Sequence, residues 1–493
     1  MKRLIRMILS RTSLILILVL AQLGLLFYII NFFSQFLYVQ IINYTLSVLI
    51  VLYLLIKEEN PIYKLSWIMP ILIFPLFGGI FYIIYRQQNF SKKVLKHYES
   101  IDLDRRFYIH HDLKPLMHKP MRYLANIHWQ AYEHTKTTFL PSGYQMFKAM
   151  LDDLKEAKSF IFLEFFIINQ GEMWDQILHI LTLKAKEGIE ITLIYDDFGS
   201  SNLPYHFHKQ MKRLGIEAIP FNKMRLHLNF AMNYRDHRKI VVIDGKVGYT
   251  GGINIGDEYI NLIQPFGHWL DAGIRLEGDA VYGLTISFLE NYRFQTKKNI
   301  DYKLYKRDHP HMTDGYIVPF NDGPLDNELT SKNMYLSLIN EAKKTIDITT
   351  PYLIIDNELS EALKLASKSG VRVRIIIPHI PDKKIIYMVT ETYVPELLQA
   401  GCEIYRYTPG FIHSKMMIVD DHEAMIGTCN LDFRSLYLHF ENSVYLHEST
   451  TINDMHQFFE HTLMHSDCIK TQKKRFIFYR LLQVILRGFA SLM

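Results

Sequence analysis

Residues 234–254 read YRDHRKIVVIDGKVGYTGGIN, and residues 411–430 read FIHSKMMIVDDHEAMIGTCN. Both obey one pattern, H-x-K-x4-D-x6-G-[GT]-x-N. It sets His237, Lys239, Asp244 and Asn254 in the first copy, and His413, Lys415, Asp420 and Asn430 in the second. A chain of 493 residues with 22 His and 55 Lys plus Arg can produce one H-x-K-x4-D by chance. A second copy, with Gly and Asn at the same offsets downstream, reads as two halves of one active site.

The local pattern gives each half a geometry. His and Lys two residues apart share one face of a strand. The runs IVVI and MMIV behind them read as buried central strands, and Asp244-Gly245 and Asp420-Asp421 supply the turns into the next strand. Each copy then presents an imidazole and an ammonium side by side.

Further out, the chain repeats itself coarsely. An amphipathic helix in SGYQMFKAMLDDLKEAK, with Phe147, Met150, Leu151 and Leu154 on one stripe, leads to the strand SFIFLEFFII. A helix over Trp174 to Glu187, a stop at Gly188 and the strand IEITLIYD follow. The second half runs alike: a helix over Met334 to Lys343, strand TIDITTPYLII, a helix over Glu358 to Lys368, Gly370 and strand VRVRIIIP. Alternating strands and helices imply an α/β fold of two tandem lobes, each a sheet flanked by helices, related by a pseudo-twofold. We divide them as residues 139–320 and 321–470. Glu164, in LEFF, either lines the cleft or is structurally buried, and Asp196-Asp197 sit where open α/β sheets carry functional loops or turns.

The front of the chain differs. Ser13 to Phe33, Phe36 to Ile56 and Trp67 to Tyr85 are apolar runs, each about long enough to cross a bilayer as a helix. Lys2, Arg3, Arg6 and Arg11 precede the first, with no small-residue cleavage site after it, so residues 1–88 read as a retained membrane anchor of two to three segments. The third run holds Pro70, Pro75 and Gly78-Gly79 and either spans or re-enters. Arg86, Lys92, Lys93 and Lys96 follow it, which favours a cytoplasmic catalytic part.

Residues 89–138 form a connecting segment with His110, His111, His118, His128 and His134, in which no pair has a tight ligand spacing matched by a second pair. Solvated or interfacial histidines are the plainer reading. Residues 471–493 make a basic amphipathic tail suited to the membrane interface or to the protein's own core. The three cysteines, Cys402, Cys429 and Cys468, give no disulfide framework. A net charge of only +5 argues against a nucleic-acid partner.

Two His, two Lys and two Asn match what metal-free phosphodiester transfer requires. One imidazole attacks phosphorus and the other shuttles the proton of the leaving and incoming alcohols. Lys239, Lys415, Asn254 and Asn430 stabilise the phosphoryl oxygens. Each imidazole also wants a carboxylate to fix its tautomer, and Asp271 and Glu441 are the candidates. Asp244 and Asp420, counted with the catalytic set, lie nearer strand ends, where a structural part in the turn is at least as fitting.

These residues closely resemble the HKD motifs of the phospholipase D superfamily. Over essentially the whole chain the resemblance extends to bacterial cardiolipin synthases. It is carried by the multi-pass N-terminus, NYRDHRKIVVIDGKVGYTGGINIGDEY, HWLDAGIRLEGDAV, FIHSKMMIVDDHEAMIGTCNLDFRSLYLHFEN and the tail KKRFIFYRLLQVILRGFASLM. The resemblance implies His237 as nucleophile and His413 as acid and base. It also implies a reaction in which two phosphatidylglycerols give cardiolipin and glycerol, with no metal or nucleotide. A hydrolytic phospholipase D or another phosphatidyltransferase would use the same intermediate, and a nuclease or a non-catalytic scaffold are further rivals. The chain departs from the family at Trp269-Leu270-Asp271-Ala272-Gly273, where W-R-D-T-H is frequent. It also has His439 where Asn is common, and an anchor one apolar segment longer than usual.

Overall fold

The computed structural model describes residues 21, 24, 25, 28, 37–57, 61–74, 78, 79, 82, 92–108, 118–223, 234–308, 313–326, 328–470 and 476–492. The basic head, most of Ser13 to Phe33, Pro75, Arg86, His110 and His111 lie outside them. The chain forms two compact units, divided after Asn89.

In the first unit Leu37–Ile56 is a 20-residue helix whose N-terminal half is punctuated by Gln40, Asn43, Thr45 and Ser47. Pro61–Ile73 forms a second helix containing Pro70. Leu54, Trp67, Ile71 and Tyr82 make a small buried cluster, in which Tyr82 meets the Trp67 ring edge-on at 5.6 Å. Gly78 lies so close to Pro70 that a Cβ there would sit 2.5 Å from the Pro70 carbonyl oxygen. Gly78 and Tyr82 therefore lie back against the helix Pro61–Ile73. No helix among the described residues is long and apolar enough to cross a membrane.

The second unit carries two sheets. The first lobe builds β1 (Thr135–Leu140), β2 (Phe160–Phe165), β3 (Glu190–Asp196), β4 (Glu217–Phe221), β5 (Ile240–Ile243) and β6 (Val247–Gly251). The short β7 (His268–Leu270) and then β8 (Gly273–Gly278) complete it. The second lobe builds β9 (Tyr316–Asp322), β10 (Thr345–Thr349), β11 (Arg372–Pro378), β12 (Glu403–Tyr407), β13 (Gly410–Ile412) and β14 (Met416–Val419). It ends with β15 (Glu423–Gly427), β16 (Glu441–His447) and β17 (Ser466–Cys468). The sheet orders are β1-β8-β6-β5-β2-β3-β4 and β17-β12-β11-β10-β14-β15-β16-β9.

Read in opposite directions, the two orders match strand for strand, except that β17 at the edge of the second sheet has no counterpart in the first. In each, three parallel strands meet a motif strand running antiparallel, β5 beside β2 and β14 beside β10. The motif strand turns back into β6 or β15 and then pairs with β8 or β16. Asp244 and Gly245 in the first turn, and Asp420 and Asp421 in the second, all have φ between 49° and 65°, the left-handed geometry a tight hairpin favours. Strand β10 stops at Thr349 rather than running on through TPYLII: Thr350 N–H still donates to the Ile376 carbonyl at 3.2 Å, but Pro351 has no N–H to carry the ladder further.

Alternation along β2 builds two cores. Ile161, Leu163 and Phe165 pack with Met150, Leu154, Trp174 and Ile177 of the flanking helices. Phe160 and Phe162 face the opposite layer, with Leu284 and Phe288 of the helix Val281–Thr296. That layer continues into Met416, Ile426 and Val444 of the second lobe. One apolar core therefore joins the lobes, and it fixes their mutual position.

Candidate active site

The lobes are stitched at two equivalent points. β7 runs parallel to β13, Leu270 opposite Ile412, and Asp236 bridges Phe440 in the same sense. The segment entering each motif is thus held by the other lobe: His413 N–H donates to the Leu270 carbonyl at 2.7 Å, and His237 N–H to that of Phe440 at 2.9 Å. The residue after each of those carbonyls is a carboxylate. Asp271 Oδ2 accepts from His413 Nδ1 at 2.6 Å, and the Glu441 oxygens accept from His237 Nδ1 at 3.0 and 2.9 Å. Each lobe orients the other's imidazole. With Nδ1–H committed to a carboxylate, Nε2 keeps its lone pair for attack or proton transfer.

Lys239 and Lys415 are almost wholly buried. Lys239 Nζ donates to the His237 carbonyl at 2.5 Å, and Lys415 Nζ likewise to that of His413. Burial pushes Lys239 down to about 7 and Lys415 down to about 8. Burial, then Lys239, Lys415 and His413, lower His237 well below an ordinary imidazole. Burial and Lys415 bring His413 down to about 4, against the upward pull of Asp271. Burial works upward on Asp271, but the charge and hydrogen bond of His413 hold it below the usual carboxylate range. The four nitrogen bases repel one another's protons, and a phosphoryl group, bringing negative charge, would raise them all.

Other sequence candidates fall differently. The Asn254 amide accepts from Ile167 N–H at 3.0 Å and donates to the Tyr259 hydroxyl at 2.8 Å, whereas Asn430 Oδ1 is buried without a hydrogen-bond partner. Asp244 and Asp420 stand at the far ends of their strands from the lysines, and each spends its carboxylate on three backbone N–H groups. Asp244 takes those of Lys158, Ser159 and Phe160, and Asp420 those of Lys343, Lys344 and Thr345. They hold the start of the neighbouring parallel strand and are not brought to the imidazoles. Glu164 is fully buried, bound by Arg238 and Asn291, and Asp196 caps a turn through Phe198 and Gly199 N–H groups.

Sequence reasoning passed over several neighbours. Thr428 Oγ1 donates to Glu441 Oε2 at 2.5 Å. Asn442 accepts from Lys239 N–H at 3.3 Å and donates to Thr250 Oγ1 at 2.6 Å. Trp269, Tyr259 and Phe411 surround His413 with ring centroids at 5.1, 5.7 and 5.8 Å. The His439 ring lies 5.6 Å from that of His237, and neither of its nitrogens has a hydrogen-bond partner. Thr428 and Phe411 lay within the quoted motif, and Trp269 and His439 stood out only where the chain departs from the family pattern; the contacts of Trp269, Tyr259, Asn442 and His439 with the histidines or Lys239 cross between the lobes.

Two sheets of the same topology, meeting at paired H-x-K strands with crossed carboxylates, define a protein of the phospholipase D superfamily. The model of the "Cardiolipin synthase, PLD-like domain" family matches residues 335–463, and that of the "Phospholipase_D-nuclease N-terminal" family matches residues 45–87. A cardiolipin synthase of Halalkalibacterium halodurans is 36% identical over 458 residues, 89% of this chain and 90% of its own length. One of Alkalihalophilus pseudofirmus is 34% identical over 459 residues, 89% of this chain and 91% of its own. An uncharacterized protein of Streptococcus mutans is 38% identical over 90% of this chain and 99% of its own. The crystal structure of a phosphatidylserine synthase of Haemophilus influenzae shares the fold, with a TM-score of 0.56 at 14% identity over 76% of this chain and 97% of that one. The chain belongs to the cardiolipin synthase family.

Proposed function

We propose that this chain is a phosphatidyltransferase that makes cardiolipin and glycerol from two molecules of phosphatidylglycerol. The observation that carries the mechanism is the crossed pair of imidazoles, each with Nδ1 fixed by a carboxylate and Nε2 left for chemistry. His237 Nε2 attacks phosphorus of the first lipid. The negative phosphate, once bound, raises His413 so that it carries a proton on Nε2 as well; the bond to the glycerol headgroup breaks, and His413 Nε2–H gives that proton to the departing oxygen. The resulting phosphohistidine holds a phosphatidyl group. His413 then removes the proton of the second lipid's terminal hydroxyl, whose oxygen attacks phosphorus, releasing cardiolipin and restoring His237.

The difference between the imidazoles supports this division. Burial and the charges of Lys239, Lys415 and His413 keep His237 unprotonated, which suits a resident nucleophile. His413 sits on the shorter carboxylate contact, which suits a group that is imidazolium before the first step, neutral while the intermediate stands, and imidazolium again after the second. Lys239, Lys415 and Asn430 stabilise the phosphoryl oxygens electrostatically, and Asn254 positions the loop through Ile167 and Tyr259.

The reaction takes place at a membrane. Ile41, Ile42, Leu49, Leu52 and Leu55 of the helix Leu37–Ile56 are exposed and suit an anchor whose further segment re-enters. The helix Ile477–Gly488 docks through Tyr479, Gln483 and Arg487 on Glu391, the Met388 carbonyl and Glu396. Its other face, with Ile477, Phe478, Leu481, Val484 and Ile485, is exposed and fits the bilayer interface. Basic residues flanking the anchor favour the cytoplasmic side for the catalytic unit.

Purified protein with phosphatidylglycerol as sole lipid, in the presence of EDTA, should yield cardiolipin and glycerol in equal amounts. Phosphatidic acid as the only phospholipid product would make water the acceptor and the protein a phospholipase. No turnover with this lipid would overturn the substrate assignment.

A further inference from the structure

The structure gathers a second group of histidines away from the cleft. His118 Nδ1 lies 3.7 Å from Glu423 Oε1, and His447 Nδ1 lies 3.8 Å from the same oxygen. One ligand atom from each of the three falls within 4.8 Å of the others. Glu423 and His447 are buried, and His447 Nδ1 has no hydrogen-bond partner. The His118 and His447 rings are 4.3 Å apart, and His422 stands 6.3 Å from each, centroid to centroid.

We propose that His118, Glu423 and His447, with His422 as fourth ligand, form a structural site for a divalent transition metal of the zinc type. Imidazole and carboxylate are the donors such an ion takes. Bonds of about 2.1 Å at tetrahedral angles would hold the ligand atoms about 3.4 Å apart, close to the two spacings seen. The surrounding bonds are those that orient metal ligands. His422 Nδ1–H donates to the Asp420 carbonyl at 2.5 Å, leaving Nε2 as donor atom, and the Tyr445 hydroxyl donates to Glu423 Oε1 at 2.6 Å.

Two comparable clusters carry no such reading. Asp347, His456 and Glu460 already have a cation, because Arg374 pairs with Asp347 at 2.6 Å and with Glu460 at 2.7 Å. His237, His439 and Glu441 belong to the cleft. The proposed site lies at the other end of β14 and β15, where Glu423 opposes Val419 and Ile426 opposes Met416 beside Lys415. Its ion would not touch the reacting phosphate. It would clamp the connecting segment at His118, where the helix Lys119–Asn126 begins, onto the second sheet.

The test is a titration of chelator-stripped full-length protein with Co2+, followed by Zn2+ competition and thermal unfolding. Wild type should take one Co2+ per chain with the strong visible bands of a tetrahedral site, lose them to Zn2+, and unfold at higher temperature with metal bound. His118→Gln, on a partly exposed position that leaves the core intact, and His447→Gln should each weaken binding at least about tenfold, whereas His439→Asn should not. Absence of a tetrahedral Co2+ spectrum in wild type would overturn the proposal. So would unchanged binding in His118→Gln, or binding lost only in His439→Asn, which would move the ion to the cleft.

Discussion

The two lobes share one strand order apart from the extra edge strand β17, yet they solve the placement of the orienting carboxylate differently. In the first lobe the acid is the shorter Asp271, and the motif residue at its side is Gly252. A Cβ there would stand 2.1 Å from Asp271 Oδ1 and 2.9 Å from the His413 carbonyl oxygen. In the second lobe the acid is the longer Glu441, and the matching residue is Thr428, whose hydroxyl donates to it. A short acid needs an empty position beside it; a long one leaves room for a donor. The consequence is asymmetry in a twofold frame: His413 has a single close contact inside an aromatic surround, while His237 shares its carboxylate with Thr428 and lies beside His439. The proposed transfer through a covalent intermediate calls for two unlike imidazoles, and the two acids supply a difference of that kind.

The largest effect should come from the histidines themselves. His237→Ala should abolish both the covalent intermediate and product, a loss on the order of 10⁴–10⁶-fold. His413→Ala should slow departure of the headgroup by about 10²–10⁴-fold. Rapid quenching with radiolabelled lipid identifies the modified residue, and a phosphatidyl group trapped on His413 would invert the comparison.

Exchanging the partners of the two acids is the next test. Gly252→Thr should displace Asp271 and lower kcat by about 10²-fold or more. Thr428→Gly, which removes one hydrogen bond, should cost about tenfold or less. Equal losses in two folded variants would mean that the lobes are alike after all.

Asp420→Ala should lower stability by about 3 kcal/mol, since it leaves three backbone N–H groups without their acceptor, with kcat per folded molecule little changed. Denaturant unfolding alongside single-turnover kinetics separates these. A fall in kcat at unchanged unfolding midpoint would return the aspartate to the chemistry.

The smallest expected effects concern protons. Lys415 is lowered to about 8 by burial, so at neutral pH the folded state holds that proton less readily than the unfolded chain does. Lys415→Met should therefore raise Tm by a few degrees at about pH 7 while reducing activity. His413 and His439 are each lowered to about 4, burial being the main cause. Below the ordinary imidazole value of about 6.5 the unfolded chain binds more protons than the folded one. The stability these groups confer is complete above that value and is lost as pH falls toward about 4. A urea midpoint that stayed flat over this window would contradict the burial of these rings.

Much of this was legible in the residues. The paired motifs, the strand character of IVVI and MMIV and the alternation of strands and helices all follow from short-range spacing and composition. That spacing is fixed by the two-residue repeat of a strand and the 3.6-residue repeat of a helix. Asp271 and Glu441 were nameable as candidates, but each turned out to serve the histidine of the opposite lobe. A sequence lists acids downstream of each motif; it carries no record of which chain segments cross. Nor could it gather His118 with Glu423 and His447, some 300 positions on, since ligand spacing within one segment was the only signal to read. The sequence by itself determined the chemistry-bearing groups and their local faces, because covalent geometry sets which neighbours share a side. The tertiary structure alone decided which carboxylate meets which imidazole, that Asp244 and Asp420 serve the backbone, and how far the bases are desolvated. Those depend on the burial of one continuous core between two lobes.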